Sequence, residues 1–483
     1  MNPQTTKTIK TTILLLLIIL TCTSITYATN YTINPGTSIN TTIQNAQNGD
    51  TITLNPGTYQ ENEITIDKSI TIQGNGTPET IIIDGQKTKN IFTINLPTVK
   101  TTFKNLTITN GTATEFGGAI NNNDGTITVI NCILTQNSAG FNGGAIANNG
   151  TATIINSTFK QNKIRRNGGA INTYGGTLKV INSYFQNNTA SRDGGAIAIA
   201  GLAKATITNS TFTKNYAKDW GGAIYNWMST TTITQSTLQN NTASIWGGAI
   251  LTYGNITITQ TQFTKNYARD KGGAIYSLQE YSYMQNIINA NYNAFINNTA
   301  YTANDIYLDQ LTNTINFNNN WWGTNNPLNT IKYPQTWNER YVDSKNASGN
   351  PTSFLKLYIN TKYTQLKNNK YLITVTTGLE PKTNLPLSLK IEINNQNYTR
   401  QVNGITIIQY TTKTLTNTIS TELDYEKITK NITLTPKTPN NMEKDNASQI
   451  STSSNIPMQN TGLPVSLLIL GLFAMLVPSI RRK

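Results

Sequence analysis

The chain has 483 residues, of which 37% are hydrophobic and only 12% are charged, and its formal net charge is +14. So few charged residues are untypical of a helix-rich cytosolic enzyme. The sequence contains no histidine, which excludes Ser–His and Cys–His catalysis and every histidine-ligated metal site. Its longest basic run is Arg481-Arg482-Lys483, so nucleic-acid binding is not expected.

The N-terminal segment 1–28 is predicted to be a secretory signal peptide. Lys7 and Lys10 supply the basic end, the apolar run 13–20 follows, and residues 26–28 form a cleavage site ending in Ala28. A lipid anchor at Cys22, preceded by Leu20 and Thr21, is the alternative. Removal of the signal would leave Cys132 as the one cysteine, so neither a disulfide within the chain nor a cysteine-ligated zinc site is expected.

A short amphipathic helix is predicted over 38–47, where Ile39, Ile43 and Ala46 have helical spacing. Strand-like sequence follows at 51–54. The helix would cover the open end of a stack of strands, which otherwise invites edge-to-edge association.

A repeat dominates the middle of the chain. The motif Gly-Gly-Ala-Ile recurs at intervals of 25 to 27 residues, and an apolar residue followed three positions later by Asn alternates with it. The motif begins at Gly117, Gly143, Gly168, Gly194, Gly221, Gly247 and Gly272. The alternating asparagines include Asn137, Asn162, Asn188, Asn215, Asn241 and Asn266. Repeats of this length indicate stacked units that bury their apolar faces against neighbours.

The units are predicted to be strands, because Thr and Ile alternate between Gly and Asn corners. The predicted fold is therefore all-β, a right-handed parallel β-helix over 29–326. At one rung per repeat this segment has room for roughly eleven coils. The paired glycines permit positive φ at each corner, and Cys132 falls in a column of small side chains, which indicates packing rather than catalysis. The repeat ends near Trp321 and Trp322, which are predicted to cap the last rung.

The rest of the chain is predicted to be a smaller module and an anchor. A linker at 327–350 leads to a small Ig-like β-sandwich at 351–437, where strand-like runs alternate with turn signals. A flexible stalk at 438–462 follows. The apolar stretch 463–480 is predicted to be a transmembrane helix and the basic tail 481–483 to be cytoplasmic.

These motifs resemble known surface proteins. Gly-Gly-Ala-Ile alternating with Phe-x-x-Asn is similar to the repeats of chlamydial-type polymorphic outer-membrane proteins. Residues 48–52 with the Pro-Gly-Thr-Tyr of 56–59 resemble the first coils of pectin-lyase-like β-helices. The whole arrangement, with Asn-Trp-Trp-Gly at 320–323, resembles the adhesin-like surface proteins of methanogenic archaea. The resemblance implies a location outside the cell and an adhesive role.

A row of tyrosines is the candidate binding surface. If the Ile of each Gly-Gly-Ala-Ile motif points inward, residues at even offsets from the first Gly of the motif point outward. These are Tyr174, Tyr225, Tyr253 and Tyr276. Stacked rings on one face could hold sugar rings or another protein.

Charged residues before the Gly-Gly corners offer a catalytic alternative. Arg192 and Asp219 fall on adjacent coils, and Asp193 lies beside them. A membrane-tethered polysaccharide lyase or glycoside hydrolase could use Asp219 or Asp193 as a metal ligand and Arg192 as the base. The competing interpretation is that these corner charges pair with one another across rungs, and it is the one we favour.

The sequence thus predicts a non-catalytic, adhesin-like protein on the outer face of the cell membrane, anchored by 463–480. Its expected partner is an extracellular glycan or a surface protein of another cell, and no cofactor or metal is expected. Sequons such as Asn30 and Asn105 predict glycosylation.

Overall fold

The computed structural model describes residues 28–278, 287–309, 315–324, 341–343 and 353–436. The part up to residue 435 belongs to one compact unit. The predicted signal peptide, most of the predicted linker, the stalk and the anchor lie outside the described residues. Among the residues that are described, no helix combines the length and the apolar character needed to cross a membrane.

The described strands between Asn30 and Asn316 form a parallel β-solenoid, in which each turn adds strands to sheets that run along the stack. In the described residues sheet 1 has twelve strands and sheet 2 has eleven. Sheet 1 comprises Asn30–Ile33, Thr51–Leu54, Thr71–Gly74, Lys100–Lys104, Thr126–Ile130, Thr151–Ile155, Thr177–Ile181, Lys204–Thr208, Thr230–Thr234, Asn255–Thr259, Ile288–Asn291 and Ile315–Asn316. Sheet 2 comprises Ile64–Thr65, Phe92–Ile94, Ile120–Asn122, Ile146–Asn148, Ile171–Tyr174, Ile197–Ala200, Ile224–Asn226, Ile250–Thr252, Ile275–Leu278, Ile306–Asp309 and Tyr341–Asp343.

Two further parallel sheets complete the turns. Sheet 3 has ten strands and sheet 4 has six in the part of the chain that is described. Sheet 3 comprises Gly57–Gln60, Ile81–Asp84, Thr107–Thr109, Ile133–Thr135, Thr158–Lys160, Tyr184–Gln186, Thr211–Thr213, Thr237–Gln239, Gln262–Thr264 and Ala294–Ile296. Sheet 4 comprises Ser138–Ala139, Lys163–Ile164, Thr189–Ala190, Tyr216–Ala217, Thr242–Ala243 and Tyr267–Ala268.

The inward file of isoleucines confirms the solenoid. Ile146 pairs with Ile171, which pairs with Ile197, which in turn pairs with Ile224. All four side chains are fully buried in the interior core. One residue per turn therefore contributes to the same apolar column, as the period of the repeat predicts.

The expected count of roughly eleven coils differs from the structure, which has about eight regular turns. The regular turns are the eight that contribute consecutive strands to sheet 2, from the strand that begins at Ile120 to the strand that begins at Ile306. Earlier turns are uneven, because Thr51 pairs with Thr71 but Thr71 pairs with Thr102. These early turns also lack the Gly-Gly corner, so their lengths are not held constant.

Seven of the eight regular corners are formed by a pair of glycines, and the corner before Ile306 has Ala303 and Asn304 instead. The first glycine has positive φ, for example 66° at Gly194 and 64° at Gly221, a conformation that is strained for a residue with a side chain. The second glycine packs against the next turn, and a Cβ at Gly195 would overlap the Gly222 carbonyl oxygen. Glycine is therefore favoured at the first position and required at the second wherever another turn with the same corner follows.

A buried ladder of asparagines links the turns. The Asn188 backbone N–H and its Nδ2 both donate to Asn215 Oδ1, each at 3.0 Å, and Nδ2 also donates to the Phe159 carbonyl at 3.0 Å. Asn162 makes the same set of bonds to Asn188 and to Leu134. The repeated Phe-x-x-Asn motif therefore satisfies backbone groups inside the stack.

The predicted helix and Trp322 lie over the two ends of the solenoid core, whereas Trp321, also predicted to cap it, packs in the core of the antiparallel sheets that follow. At the N-terminal end the α-helix Ile39–Asn45 buries Ile39 and Ile43 in the interior core, and Ser38 caps it through a bond from Thr41 N at 3.0 Å. A 3₁₀ turn, Pro78–Thr80, follows later. At the other end Trp322 stacks on Phe295 with ring centroids 4.7 Å apart.

Two small antiparallel sheets follow the solenoid and share one core. Their inner residues, among them Ile373, Val375 and Ile391, are buried together. The first sheet, in spatial order, comprises Lys356–Gln365, Tyr371–Glu380 and Ile405–Thr412. The second comprises Gln396–Asn403, Asn384–Ile393, Thr416–Leu423 and Glu426–Thr433. The Ig-like assignment and the exact domain limits stay predictions.

Candidate functional site

The outer face of sheet 2 carries the candidate site. The residue after each inward Ile points outward, because neighbouring residues of a strand alternate between faces. We call these residues the floor column, and parallel pairing places them directly over one another. In order they are Asn121, Ala147, Asn172, Ala198, Tyr225, Leu251, Tyr276 and Tyr307.

A second outward column, the corner column, holds the residue immediately before each Gly-Gly pair. Bridges between consecutive turns join Phe116 to Asn142 and Asn142 to Asn167. They also join Asp193 to Trp220 and Trp220 to Trp246. Floor and corner columns therefore run side by side along the solenoid and define the shape of this face.

The C-terminal half of this face is filled by aromatic rings, and we call it the filled half. The rings of Trp220 and Trp246 are stacked with centroids 5.6 Å apart, and the Trp246 ring lies 5.0 Å from that of Tyr276. Tyr276 stacks on Tyr307 at 5.4 Å. Lys271 Nζ lies 4.6 Å from the centroid of the Tyr307 ring, within the range of a cation–π contact.

The hydroxyl of Tyr276 shows how closed this half is. It donates to Asp309 Oδ2 at 3.0 Å, and the side chain is only 1% exposed. Burial and, next, the neighbouring Asp309 carboxylate raise the pKa of this hydroxyl. The tyrosine is therefore a neutral, buried hydrogen-bond donor that stabilises the stack.

The N-terminal half of the face is open, and we call its depression the groove. It consists of two adjoining cavities of about 260 and 270 Å³ that share Asn142, Asn172 and Tyr174. The floor alternates Asn with Ala from Asn121 to Ala198. These four residues lie on consecutive turns, so the first and the last are three steps, or about 14 Å, apart. Small floor residues leave the space that larger rings occupy in the filled half.

Exposed rings border the groove. Phe116, Phe141 and Tyr174 are 39%, 42% and 53% exposed, and all three line it. The rings of Phe116 and Phe141 lie 6.3 Å apart between centroids. The groove thus combines aromatic faces with the amides of the partly exposed Asn121 and Asn142, an arrangement that suits ligands with both apolar faces and hydroxyl groups.

One end of the groove is charged. Arg166, Arg192 and Asp193 line it there, next to Trp227. The Arg166 guanidinium carbon lies 4.9 Å from the centroid of the Phe141 ring. Arg192 Nη2 lies 3.7 Å from Asp193 Oδ2, a loose ion pair.

Asp193 is an unusual acid. It is 2% exposed, and its Oδ1 atom is buried without a hydrogen-bond partner in the described residues. Burial raises its pKa to about 7, Arg192 lowers it in part, and Asp219 raises it further. Near neutral pH the carboxyl group is therefore divided between its neutral and ionised forms.

The predicted tyrosines differ from one another in exposure. Tyr174 is exposed beside the groove, but Tyr225, Tyr253 and Tyr276 are 8%, 6% and 1% exposed. They do lie outside the interior core, in a separate outer cluster that Trp220 and Trp246 cover. The expected row of exposed rings is wrong for these three positions, because the corner column supplies rings that pack over them.

The charged residues of the catalytic alternative do come together. The Asp219 N–H donates to the Arg192 carbonyl at 2.9 Å across adjacent turns, and Asp193 lies beside Arg192. Within the described ranges, no group of three or more Cys, Asp or Glu side chains is placed to hold a metal ion. Cys132 is buried, and burial raises the pKa of its thiol to about 12, in keeping with a packing role.

Sequence reasoning missed the groove and the Trp stack. The missed residues were available in the sequence, since the position before each Gly-Gly pair changes from Asn142 and Asn167 to Trp220 and Trp246. Comparing that column across repeats would have shown where the face closes. The space above Ala147 could not be seen in this way, because it depends on which neighbouring side chains reach over it.

The comparisons with known proteins concern the repeats. The family model for the Chlamydia polymorphic membrane protein repeat matches four segments, 182–200, 209–226, 235–253 and 260–278. The chain therefore carries repeats of this type in its solenoid.

A solved structure also shows similarity. It is the PL6 family polysaccharide lyase Pedsa3628 from Pseudopedobacter saltans, at 13% identity over 67% of this chain and 82% of that chain, with a TM-score of 0.29. A similarity this low is no guide to substrate or catalysis. No curated protein matches the chain.

Proposed function

We propose that this protein is displayed on the outer face of a cell membrane, where it mediates adhesion or cell-envelope interaction by binding glycans through the groove. It acts without catalysis and is held by the C-terminal segment 463–480. The repeats of the polymorphic membrane protein type support a surface role. The groove supports glycan rather than protein as the ligand.

Sugars present two kinds of surface, and the groove offers a partner for each. The C–H faces of a pyranose ring pack on exposed aromatic rings, which Phe116, Phe141 and Tyr174 provide. Its hydroxyl groups both donate and accept hydrogen bonds, as do the side-chain amides of the partly exposed Asn121 and Asn142. A short oligosaccharide lying along the solenoid axis would meet both.

The observation that carries the proposal is the contrast in exposure on one face. Phe116, Phe141 and Tyr174 leave large parts of their rings open around a depression. Tyr225 and Tyr276, on the same face, are almost fully buried. Exposed rings around a concave, amide-lined surface indicate a binding site.

The lyase alternative has one observation in its favour, the raised pKa of Asp193 beside Arg192. That alternative uses Arg192 as the base and Asp193 or Asp219 as a metal ligand. Asp193 is only 2% exposed, and among the described residues no group of three or more Cys, Asp or Glu side chains is placed to hold a metal ion. We therefore favour binding without bond cleavage.

The test is a glycan array probed with the purified full-length protein, followed by measurement of affinity for each glycan retained. Tyr174→Ala and Phe141→Ala are expected to lose about tenfold or more in affinity, since each removes an aromatic platform. Tyr267→Ala is the matched control, because Tyr267 is 45% exposed but belongs to sheet 4. It should bind as the parent does.

Two outcomes would contradict the proposal. One is retention of no glycan by a correctly folded protein. The other is release of unsaturated or reducing ends from a bound polysaccharide, which would establish the catalytic alternative.

A further inference from the structure

We infer that the charged end of the groove, formed by Arg166 and Arg192 around Ala198, is a subsite for an anionic sugar unit that bears a carboxylate or a sulfate. This inference rests on the proposed function, because it specifies which glycans the groove would select. The rest of the chain of sugars would extend toward Phe116, over the part of the groove that carries no charge.

The first argument is charge. Two guanidinium groups and one carboxyl group line this cavity. Arg166 makes no ion pair with any described residue, and its guanidinium lies over the Phe141 ring. A guanidinium that packs over an aromatic ring uses none of its N–H groups for that contact, so these groups stay available to bind an oxyanion.

The second argument is that Asp193 neutralises little of this charge. Its contact with Arg192 is long, at 3.7 Å. Burial raises the pKa of Asp193 to about 7, so in mildly acidic solution the group is mostly neutral. The subsite then carries two positive charges.

The third argument is the division of the groove. The cavity between Phe116 and Tyr174 is lined by uncharged residues only. The adjoining cavity holds both arginines and ends at Tyr225 and Trp227. A ligand with a charged unit at one end and neutral units beyond it would match this order.

The experiment is isothermal titration calorimetry of the full-length protein at pH 5.5 with three hexasaccharides. One is an oligogalacturonate, one is a sulfated galactan oligosaccharide and one is neutral cellohexaose. At least one anionic probe is expected to bind roughly tenfold more tightly than cellohexaose, as for a charge-assisted hydrogen bond. The better of the two anionic probes identifies carboxylate or sulfate as the recognised group.

Variants locate the effect. Arg166→Gln and Arg192→Gln should each remove most of the preference for the anionic probe over cellohexaose. Arg165→Gln is the matched control. Arg165 is the neighbour of Arg166 in the sequence and carries the same charge, but its side chain is exposed and does not line the groove. This variant should keep the preference.

The pH dependence provides a second readout. Asp193 is faced by Arg192 on its own turn, by Asp219 on the next turn, and by Arg166 across the cavity. Above pH 7 Asp193 ionises and reduces the net positive charge, so anionic probes should bind several-fold more weakly at pH 8.5 than at pH 5.5. Asp193→Asn should remove that dependence.

The outcomes are separable. If all three probes bind equally, the inference fails and the proposed function stands. If Arg165→Gln weakens anionic binding as much as Arg166→Gln does, the attraction is a general surface effect and the subsite is wrong. If no glycan binds at all, the proposed function itself fails.

Discussion

The two halves of the sheet 2 outer face share one backbone frame but differ in what lies on it. In the open half the floor column holds Asn121, Ala147, Asn172 and Ala198, and a groove results. In the filled half the same column holds Tyr225, Leu251, Tyr276 and Tyr307, and these side chains are buried. The difference lies in side-chain volume at equivalent positions.

This contrast shows how a solenoid can separate stability from recognition. The inward Ile file and the Asn ladder are repeated in both halves, so the interior does not distinguish them. Outward side chains can therefore vary from turn to turn at little cost to the frame. The filled half uses this freedom for packing, and the open half leaves a groove, which is the proposed binding surface.

The largest loss of stability is expected from replacing asparagines of the buried ladder, which is the same in both halves. Asn162→Ala, in a turn of the open half, and Asn241→Ala, in a turn of the filled half, remove equivalent sets of four buried hydrogen bonds, two donated by the side-chain Nδ2 and two accepted by the side-chain Oδ1. Each variant leaves several buried backbone and amide groups unpaired. Each should lower the free energy of unfolding by at least about 3 kcal/mol, as measured by urea denaturation.

Equality of the two losses matters more than their size. A difference of more than about 1 kcal/mol between the variants would show that the interior frame is itself uneven. The difference between the halves would then lie partly in the interior core and not only in the outward side chains. A Thr→Ala change at the exposed Thr151 should be close to neutral in the same assay.

The next effect contrasts the halves directly. Trp246→Ala removes a ring stacked against Trp220 and Tyr276, together with the hydrogen bond from its Nε1 to Asp270 at 3.0 Å. It should lower the free energy of unfolding by about 3 kcal/mol. Tyr174→Ala, in the open half, should change it by less than about 0.5 kcal/mol.

Thermal melting of both variants beside the parent provides the measurement. A large loss for Tyr174→Ala would mean that the exposed ring contributes to stability, which would weaken its assignment to recognition. A negligible loss for Trp246→Ala would mean that the filled half is not a structural element.

The interior of the solenoid could be predicted from the sequence because one constraint repeats. Every turn must return Ile to the core and place Gly at the corner, so positions such as Ile171 and Gly168 recur at a nearly constant interval. The number of coils was harder, because the turns before Ile120 vary in length and have no glycine pair to mark them.

The exterior could be predicted only in part. Alternation places Tyr225 and Tyr276 on the outer face, and that much is correct. Their burial depends on Trp220 and Trp246, which belong to a different column and reach over them from the corner. The groove is harder still, because it arises from small side chains such as Ala198 between distant larger ones.

The next prediction concerns Asp193, at the boundary between the halves. Replacing it should raise the free energy of unfolding moderately, whereas the replacements above lower it. Asp193 lies in the same column as Trp220, and burial raises its pKa from an ordinary carboxyl value to about 7. The folded state then binds a proton more tightly than the unfolded chain. The contribution of Asp193 to the free energy of unfolding should therefore be most favourable below about pH 4 and should be lost as the pH rises through about 7.

Asp193→Asn tests this by removing the titration. Above pH 7 the variant should be more stable than the parent by on the order of a few kcal/mol, and the difference should shrink as the pH falls to about 4. Urea denaturation at several pH values provides the measurement. A parent whose stability does not fall between pH 4 and 7 relative to the variant would show that the carboxyl group is not destabilised by burial.

A small effect on stability should accompany a complete loss of binding in the last variant, Ala147→Tyr. Ala147→Tyr places in the open half the residue that Tyr225 provides in the filled half, and the groove has room for the ring. The free energy of unfolding should change by less than about 1 kcal/mol, because the side chain enters existing space instead of displacing core atoms. Glycan binding should be lost, since the floor beneath the ligand is occupied. Ala147→Ser, which leaves the groove open, should bind as the parent does. Binding that survives Ala147→Tyr would show that the ligand lies elsewhere on the protein, and the open half would then need another explanation.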